Sequence, residues 1–236
     1  MKKLIWVMAL WLGCIPVTFG AGWQAAPEVL VYKVSWGMVS LGKAVLAYTP
    51  GRFENYALEA RVKDNIALME IDDLWRTEGV FREGRWQPRF HHMLQKENDY
   101  RADKVLTFKG NKVVYTNRRG GEPPLTVALP DGARDGLSTL YDLRAQGVDV
   151  LHVGRTVQVM GTKKVFPLEI KPAVGEKLVK GVPTLWRVDM YAHDVEKKRM
   201  DRWRLWLRND ATLTPVRIEA RVKIGTLLAV LDEGKK

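Results

Sequence analysis

The chain has 236 residues, with 38 Lys and Arg against 27 Asp and Glu, a net charge of +11 and one cysteine. That length supplies an apolar core without covalent staples, and a lone thiol excludes both a disulfide framework and a cysteine-based metal centre. The basic balance favours anionic partners but says nothing by itself about site chemistry.

The first segment, "MKKLIWVMALWLGCIPVTFG", places Lys2 and Lys3 before a short apolar run and small residues at Thr18 and Gly20. This order predicts a signal peptide over 1–20, an exported periplasmic or outer-envelope product, and a single β-rich domain over 21–236. Lipidation at Cys14 is the alternative fate of the same segment. Removing Lys2 and Lys3 leaves 36 basic residues against 27 acidic, a net charge of +9. In an exported chain this surplus meets lipids and anionic envelope polymers, not nucleic acid.

The mature sequence alternates with period two between turn residues, the signature of strands. In "EVLVYKVSW" both faces are largely apolar, which predicts a central strand; "FENYALEARVK" separates Tyr56, Leu58, Ala60 and Val62 from Glu59, Arg61 and Lys63, which predicts a half-buried one. "GVFREGRWQPRF" turns at Glu83 and Gly84. "VLTFKGNKVVYTN" turns at Gly110 and Asn111, both able to take positive φ. "NIALMEIDDLW" lacks clean alternation and reads as one or two helical turns. "NRRGGEPP", Asn117 to Pro124, is a loop. "DGLSTLYDLRAQG" is a helix: Asp135 caps it, Leu137, Leu140, Tyr141 and Arg144 share a face, and Gly147 closes it. About a dozen strands emerge by these signals. The pentapeptide "EARVK" occurs twice, but the flanks differ, so it marks strand alternation and not a repeat.

A sheet this large must curl to protect its edges and bury one face. The predicted fold is therefore mainly β, a large curved antiparallel sheet or incomplete barrel with one main helix on its concave side. "VSWGMVSLGKA", "DGLSTLYDLR", "WLRNDATLTPVRI" and "GTLLAVL", in that order, resemble an exported bacterial family defined only as domain of unknown function 3108. The resemblance implies a signal-peptide-bearing envelope protein with one β-rich domain and no assigned activity. The architecture is also similar to the half-open barrels of periplasmic lipoprotein carriers, which have more helix than this sequence provides.

Residue patterns for catalysis are weak. His91 and His92 are adjacent and point to opposite faces of a strand, and no ligand set for a metal assembles around them. Ser138 lacks the glycine-flanked elbow of a nucleophile and fits the first turn of a helix instead. Glu70, Asp72 and Asp73 form an acidic cluster without the spacing of a calcium loop. No cofactor or metal is expected.

Seven tryptophans follow the leader: Trp23, Trp36, Trp75, Trp86, Trp186, Trp203 and Trp206. In "RWRLWLRNDATLTPVRIEARVK" alternation places Trp203, Leu205 and Leu207 on one face with Ile218. Arg202, Arg204, Trp206 and Arg208 fall on the other, with Arg217 and Arg221 on the returning strand. The second group is the candidate binding surface. Trp36, Leu137, Tyr141, Trp203, Leu205, Leu207 and Ile218 are the candidate core or cavity lining.

Three functions follow in order. The first is a non-enzymatic envelope protein that holds an apolar or amphipathic ligand, such as a lipid, in the curved sheet. The second is an assembly factor docking through its basic face onto an anionic envelope polymer or a partner protein. The third is an envelope hydrolase. After leader removal the chain is not expected to be an integral membrane protein.

Overall fold

The structure, a computed structural model, describes residues 26–66, 69–177, 184–194, 199–222 and 225–233. The predicted leader and Cys14 lie outside the described residues. In chain order the elements are β1 (Glu28–Trp36), β2 (Val39–Pro50), β3 (Asn55–Ile66), β4 (Met69–Arg82), β5 (Arg85–Glu97), β6 (Tyr100–Lys109), β7 (Lys112–Asn117) and β8 (Leu125–Ala128). Then come α1 (Gly136–Ala145), α2 (Gly147–Leu151), β9 (Arg155–Met160), β10 (Val165–Ile170), β11 (Val174–Glu176), β12 (Leu185–Asp194), β13 (Arg199–Arg208), β14 (Pro215–Val222) and β15 (Gly225–Leu231).

All the strands join one antiparallel sheet, ordered β8-β7-β6-β5-β4-β3-β2-β1-β15-β14-β13-β12-β10-β9, with β11 paired to β12. The strand that is apolar on both faces, β1, sits between β2 and β15 near the middle of this order. The sheet curves without closing into a barrel. Its two arms nevertheless approach: Met160 of β9 and Val165 of β10 pack with Met93, Leu106, Val113 and Tyr115 from β5 to β7. Backbone bonds reinforce the approach, since Met160 donates to the Arg134 carbonyl at 2.9 Å and Arg134 donates to that of Gln158 at 3.3 Å.

The helix lies where its sequence pattern places it, on the concave face. Asp135 caps α1 by accepting from the backbone N–H of Leu137 and Ser138. Tyr141 is fully buried among Tyr32, Tyr48, Tyr56 and Trp86. Gly147 has φ +77°, but the chain continues directly into the short α2, an element the sequence pattern does not announce. Leu143 and Leu151 carry the helices into a second cluster with Val188, Leu205 and Leu207.

Two local expectations change. The segment around Glu70 to Trp75 is extended, not helical, because β4 pairs with β3 from Ile66/Met69 to Asn55/Val80. Strand pairing along that length outweighs the weak local pattern. The Glu83–Gly84 turn has φ +53° and +72°, the twist-matched hairpin geometry, whereas at the other hairpin Gly110 alone of Gly110 and Asn111 takes a positive φ, of +58°.

Candidate functional site

Alternation on β13 sorts the two tryptophans of the arginine-rich stretch, and the structure reverses their expected exposure. Trp206 shares the outer face with the arginines but is only 3% exposed. Its cross-strand partner Arg217 lies over the ring at 4.7 Å, so the arginine stem covers the indole. Trp203, expected in the buried row, is 39% exposed because it lies beyond the reach of α1 towards the start of β13. Trp206 is therefore removed from the candidate surface.

The outer-face arginines are largely neutralised. Arg204 donates from Nε to Asp189 at 2.8 Å and lies 3.5 Å from Glu219. Glu219 also faces Arg217 at 3.5 Å and Arg202 at 3.9 Å, and Arg208 pairs with Glu233. Arg221 is exposed and joins no ion pair among the described residues. An interleaved quilt of this kind gives little attraction to a polyanion, since each pair screens its own field.

The inner face has two different ends. Around α1 it is shut: Leu58, Tyr141, Leu207 and Val188 are 0% exposed. Leu205 is buried beside them, and Leu137 and Ile218 pack against the aromatic cluster. At the other end a continuous rung crosses the sheet through Trp203↔Ala220, Ala220↔Leu227, Leu227↔Trp36 and Trp36↔Val39. Cross-strand partners face the same side. This rung therefore faces inward, as Leu205 and Leu207 do, yet Trp36 is 38% exposed and Val39 57%. One, two and three rungs deeper, Val34, Val62 and Trp75 are still only half-buried. The inner face at the end of the curved sheet away from α1 is accordingly apolar and partly open to solvent.

Its rim is specified in detail. Gly225 has φ +135°, and a Cβ there would stand 2.3 Å from Trp36 Nε1, so the glycine leaves room for the indole against the start of β15. The neighbouring β1–β2 turn projects Met38 fully into solvent.

The opposite wall is polar. Lys104 Nζ donates to Gln95 Oε1 and to the Tyr100 hydroxyl, both at 3.1 Å. Burial and the neighbouring Asp73 push the Glu97 carboxyl above its ordinary value. Asp73 itself is buried and accepts from the Lys96 N–H at 2.9 Å. The predicted acidic cluster is thus split by alternation. Asp73 faces inward, while Asp72 pairs with Arg61 at 2.9 Å and Glu70 with Lys96.

The residues with catalytic potential form a closed knot deeper on the inner face, beside α1. Thr77 Oγ1 donates to Asp135 at 2.8 Å, so its oxygen accepts from His91 Nδ1 at 2.7 Å. Ser138 Oγ donates to the other Asp135 oxygen at 2.6 Å and accepts from the Tyr56 hydroxyl at 3.0 Å. Thr77, Asp135 and Ser138 are 0% exposed. Burial holds the His91 ring below its ordinary pKa, with Asp135 pulling the other way. The arrangement caps α1 and fastens it to the sheet. His92 faces the other side and meets Asp103 at 2.8 Å. Among the described residues no group of three or more His, Cys, Asp or Glu could hold a metal ion, and no helix is long and apolar enough to cross a membrane.

Sequence reasoning named Trp36 and Trp203 but not the rung that joins them, nor Val34, Val62 and Trp75 behind it. The signal was the run of apolar residues in "GTLLAVL" and "VLVYKVSW", which becomes a lining only once β1 and β15 are known to pair.

Comparison with known proteins agrees with this architecture. A beta-barrel-like protein of the domain-of-unknown-function family DUF1849 from Brucella abortus superimposes with a TM-score of 0.61 at 12% identity. The match covers 87% of this chain and 95% of that one, and it shows a shared fold. No match was found among curated proteins. Residues 31–232 match the family described as protein of unknown function (DUF3108), and the chain belongs to that family.

Proposed function

We propose that this protein is a non-enzymatic envelope protein that holds an apolar or amphipathic ligand in a hollow at the end of the sheet away from α1. The observation that carries this reading is the half-exposed inward rung of Trp203, Leu227 and Trp36, backed by Val34, Val62 and Trp75. A water-facing chain leaves few such surfaces open unless something covers them. Concave, mainly apolar sites with a few polar groups on one wall suit ligands with a hydrocarbon body and a polar end. Lys104 and Glu97 supply that polar wall. Export, read from the basic-then-apolar start of the sequence, would set the protein among lipids.

Docking through the outer arginines is less well supported, because most of their charge is met by Asp189, Glu219 and Glu233. A hydrolytic role finds its best-placed serine and carboxylate at 0% exposure, beyond the reach of a substrate.

The test is native mass spectrometry of gently purified protein, followed by organic extraction. A co-purifying lipid-like ligand, displaced by added fatty acid, is expected. Ligand-free protein that also fails to take up fatty acid would overturn the proposal.

A further inference from the structure

A second cleft, of about 620 Å³, opens at the α1 end of the molecule, far from the hollow. Its cationic lining comes mainly from one hairpin: Arg82, Arg85 and Arg89 of β4 and β5, joined by Arg134 from the segment before α1. Phe108, Leu129 and Pro130 form its apolar wall, and Asp131 is the acidic residue of the lining. We infer that this cleft is a binding site for a phosphoryl group.

Three observations lead there. First, Arg89 is the extra residue of a β-bulge, since Gly79 pairs with Pro88 and Glu78 with Phe90. Bulges re-aim side chains, and this one turns an arginine into the cleft. The bulge is built into the sequence: a Cβ on Gly79 would lie 2.2 Å from the Gln87 carbonyl and 2.6 Å from the Tyr56 hydroxyl. Second, Arg85 and Arg89 are exposed and form no ion pair among the described residues. On the outer face of β12 to β14, by contrast, Arg187, Arg204 and Arg217 each reach a carboxylate. Third, Arg82 meets Glu54 only at 3.5 Å, with both side chains more than half exposed, so it too can turn to a ligand.

Several guanidinium forks converging on one cleft match a multiply charged, tetrahedral anion better than a single carboxylate. Arg134 supports the wall from behind, being held by Asp142 and by the Gly132 carbonyl at 3.2 Å. The phosphoryl group could belong to a soluble phosphate or to a phospholipid headgroup, and the apolar wall accommodates either source.

The experiment compares the wild type, Arg85→Gln/Arg89→Gln, and a charge-matched control, Arg118→Gln/Arg119→Gln, whose exposed positions lie outside the cleft. Inorganic pyrophosphate is titrated by calorimetry, and phosphatidylcholine vesicles are used with and without phosphatidylglycerol. The cleft variant should bind at least about tenfold more weakly while the control does not, as loss of charged hydrogen bonds predicts. Loss in the pyrophosphate arm assigns the site to soluble phosphates. Loss only with phosphatidylglycerol vesicles assigns it to headgroups. Binding of neither probe, or equal weakening in variant and control, overturns the inference. Both cleft arginines are exposed and form no ion pair among the described residues, so thermal melting should be unchanged. The single variants Arg85→Gln and Arg89→Gln, each weakening binding by a smaller factor, provide an independent check.

Discussion

Replacing Asp135 by alanine tests whether the buried His91, Thr77, Asp135 and Ser138 group is a structural clamp. The carboxylate accepts four bonds: Leu137 N at 2.9 Å, Ser138 N at 3.1 Å, Ser138 Oγ at 2.6 Å and Thr77 Oγ1 at 2.8 Å. Alanine removes the helix cap, a loss of about 0.5 to 2 kcal/mol, and strands two buried hydroxyl donors at about 1 to 3 kcal/mol each. The losses share a network and do not add fully, so the expected cost is about 3 to 5 kcal/mol. Asp135→Asn keeps one oxygen for the two N–H groups and disturbs only the hydroxyl side, so about 1 to 2 kcal/mol is expected. Urea unfolding followed by tryptophan fluorescence reads both values, with an unchanged slope showing that the native and unfolded states retain their extent. An alanine variant that loses less than about 1 kcal/mol would refute the clamp, as would equal losses for alanine and asparagine.

Leu207→Ala, at a side chain that is 0% exposed among Val188, Leu205 and Leu213, should cost about 2 to 5 kcal/mol by the same assay, and a cost below about 1 kcal/mol contradicts the packing. Gly79→Ala, forcing a Cβ to within 2.2 Å of the Gln87 carbonyl, should lose at least about 1 to 3 kcal/mol, and a neutral result would show that the bulge can relax. His91 gives a pH signature. Its folded pKa lies below the ordinary 6.5, so between the two values the unfolded chain binds a proton that the folded chain does not. Stability therefore falls as pH drops below about 6.5, and His91→Gln should flatten that part of the urea midpoint against pH. An unchanged slope would show that His91 does not titrate in this way.

Much of the architecture is visible in local pattern, because period-two alternation and turn residues report directly on strands. Asp135, Leu137 and Tyr141 likewise announce a capped helix with one apolar face, and its seat on the concave side follows from the need to bury that face. What local pattern misses arises from cross-strand geometry. Trp203 and Trp206 differ by three positions and fall on opposite faces as alternation requires, yet the inward Trp203 is the exposed one and the outward Trp206 the buried one. Arg217 on β14 covers Trp206, while α1 stops short of Trp203, and neither fact is contained in β13. The acidic run from Glu70 to Asp73 concealed a strand because its pairing with the flanking hairpin strands β3 and β5, and not its own alternation, holds it extended. The hollow needed β1, β14 and β15 side by side before Trp36 and Leu227 could be seen as one lining. The arginine cleft needed the bulge at Gly79.

Ligand binding against the inner rung is tested most directly by the affinity of a dansyl-labelled fatty acid, read by fluorescence anisotropy, for the wild type, Trp36→Ala/Trp203→Ala and Trp206→Ala. A ligand held against Trp36 and Trp203 requires binding by the wild type, weakening of at least about tenfold when the two rim tryptophans are removed, and little change at the covered outer-face Trp206. No binding by the wild type, or equal affinity across all three proteins, would contradict that placement.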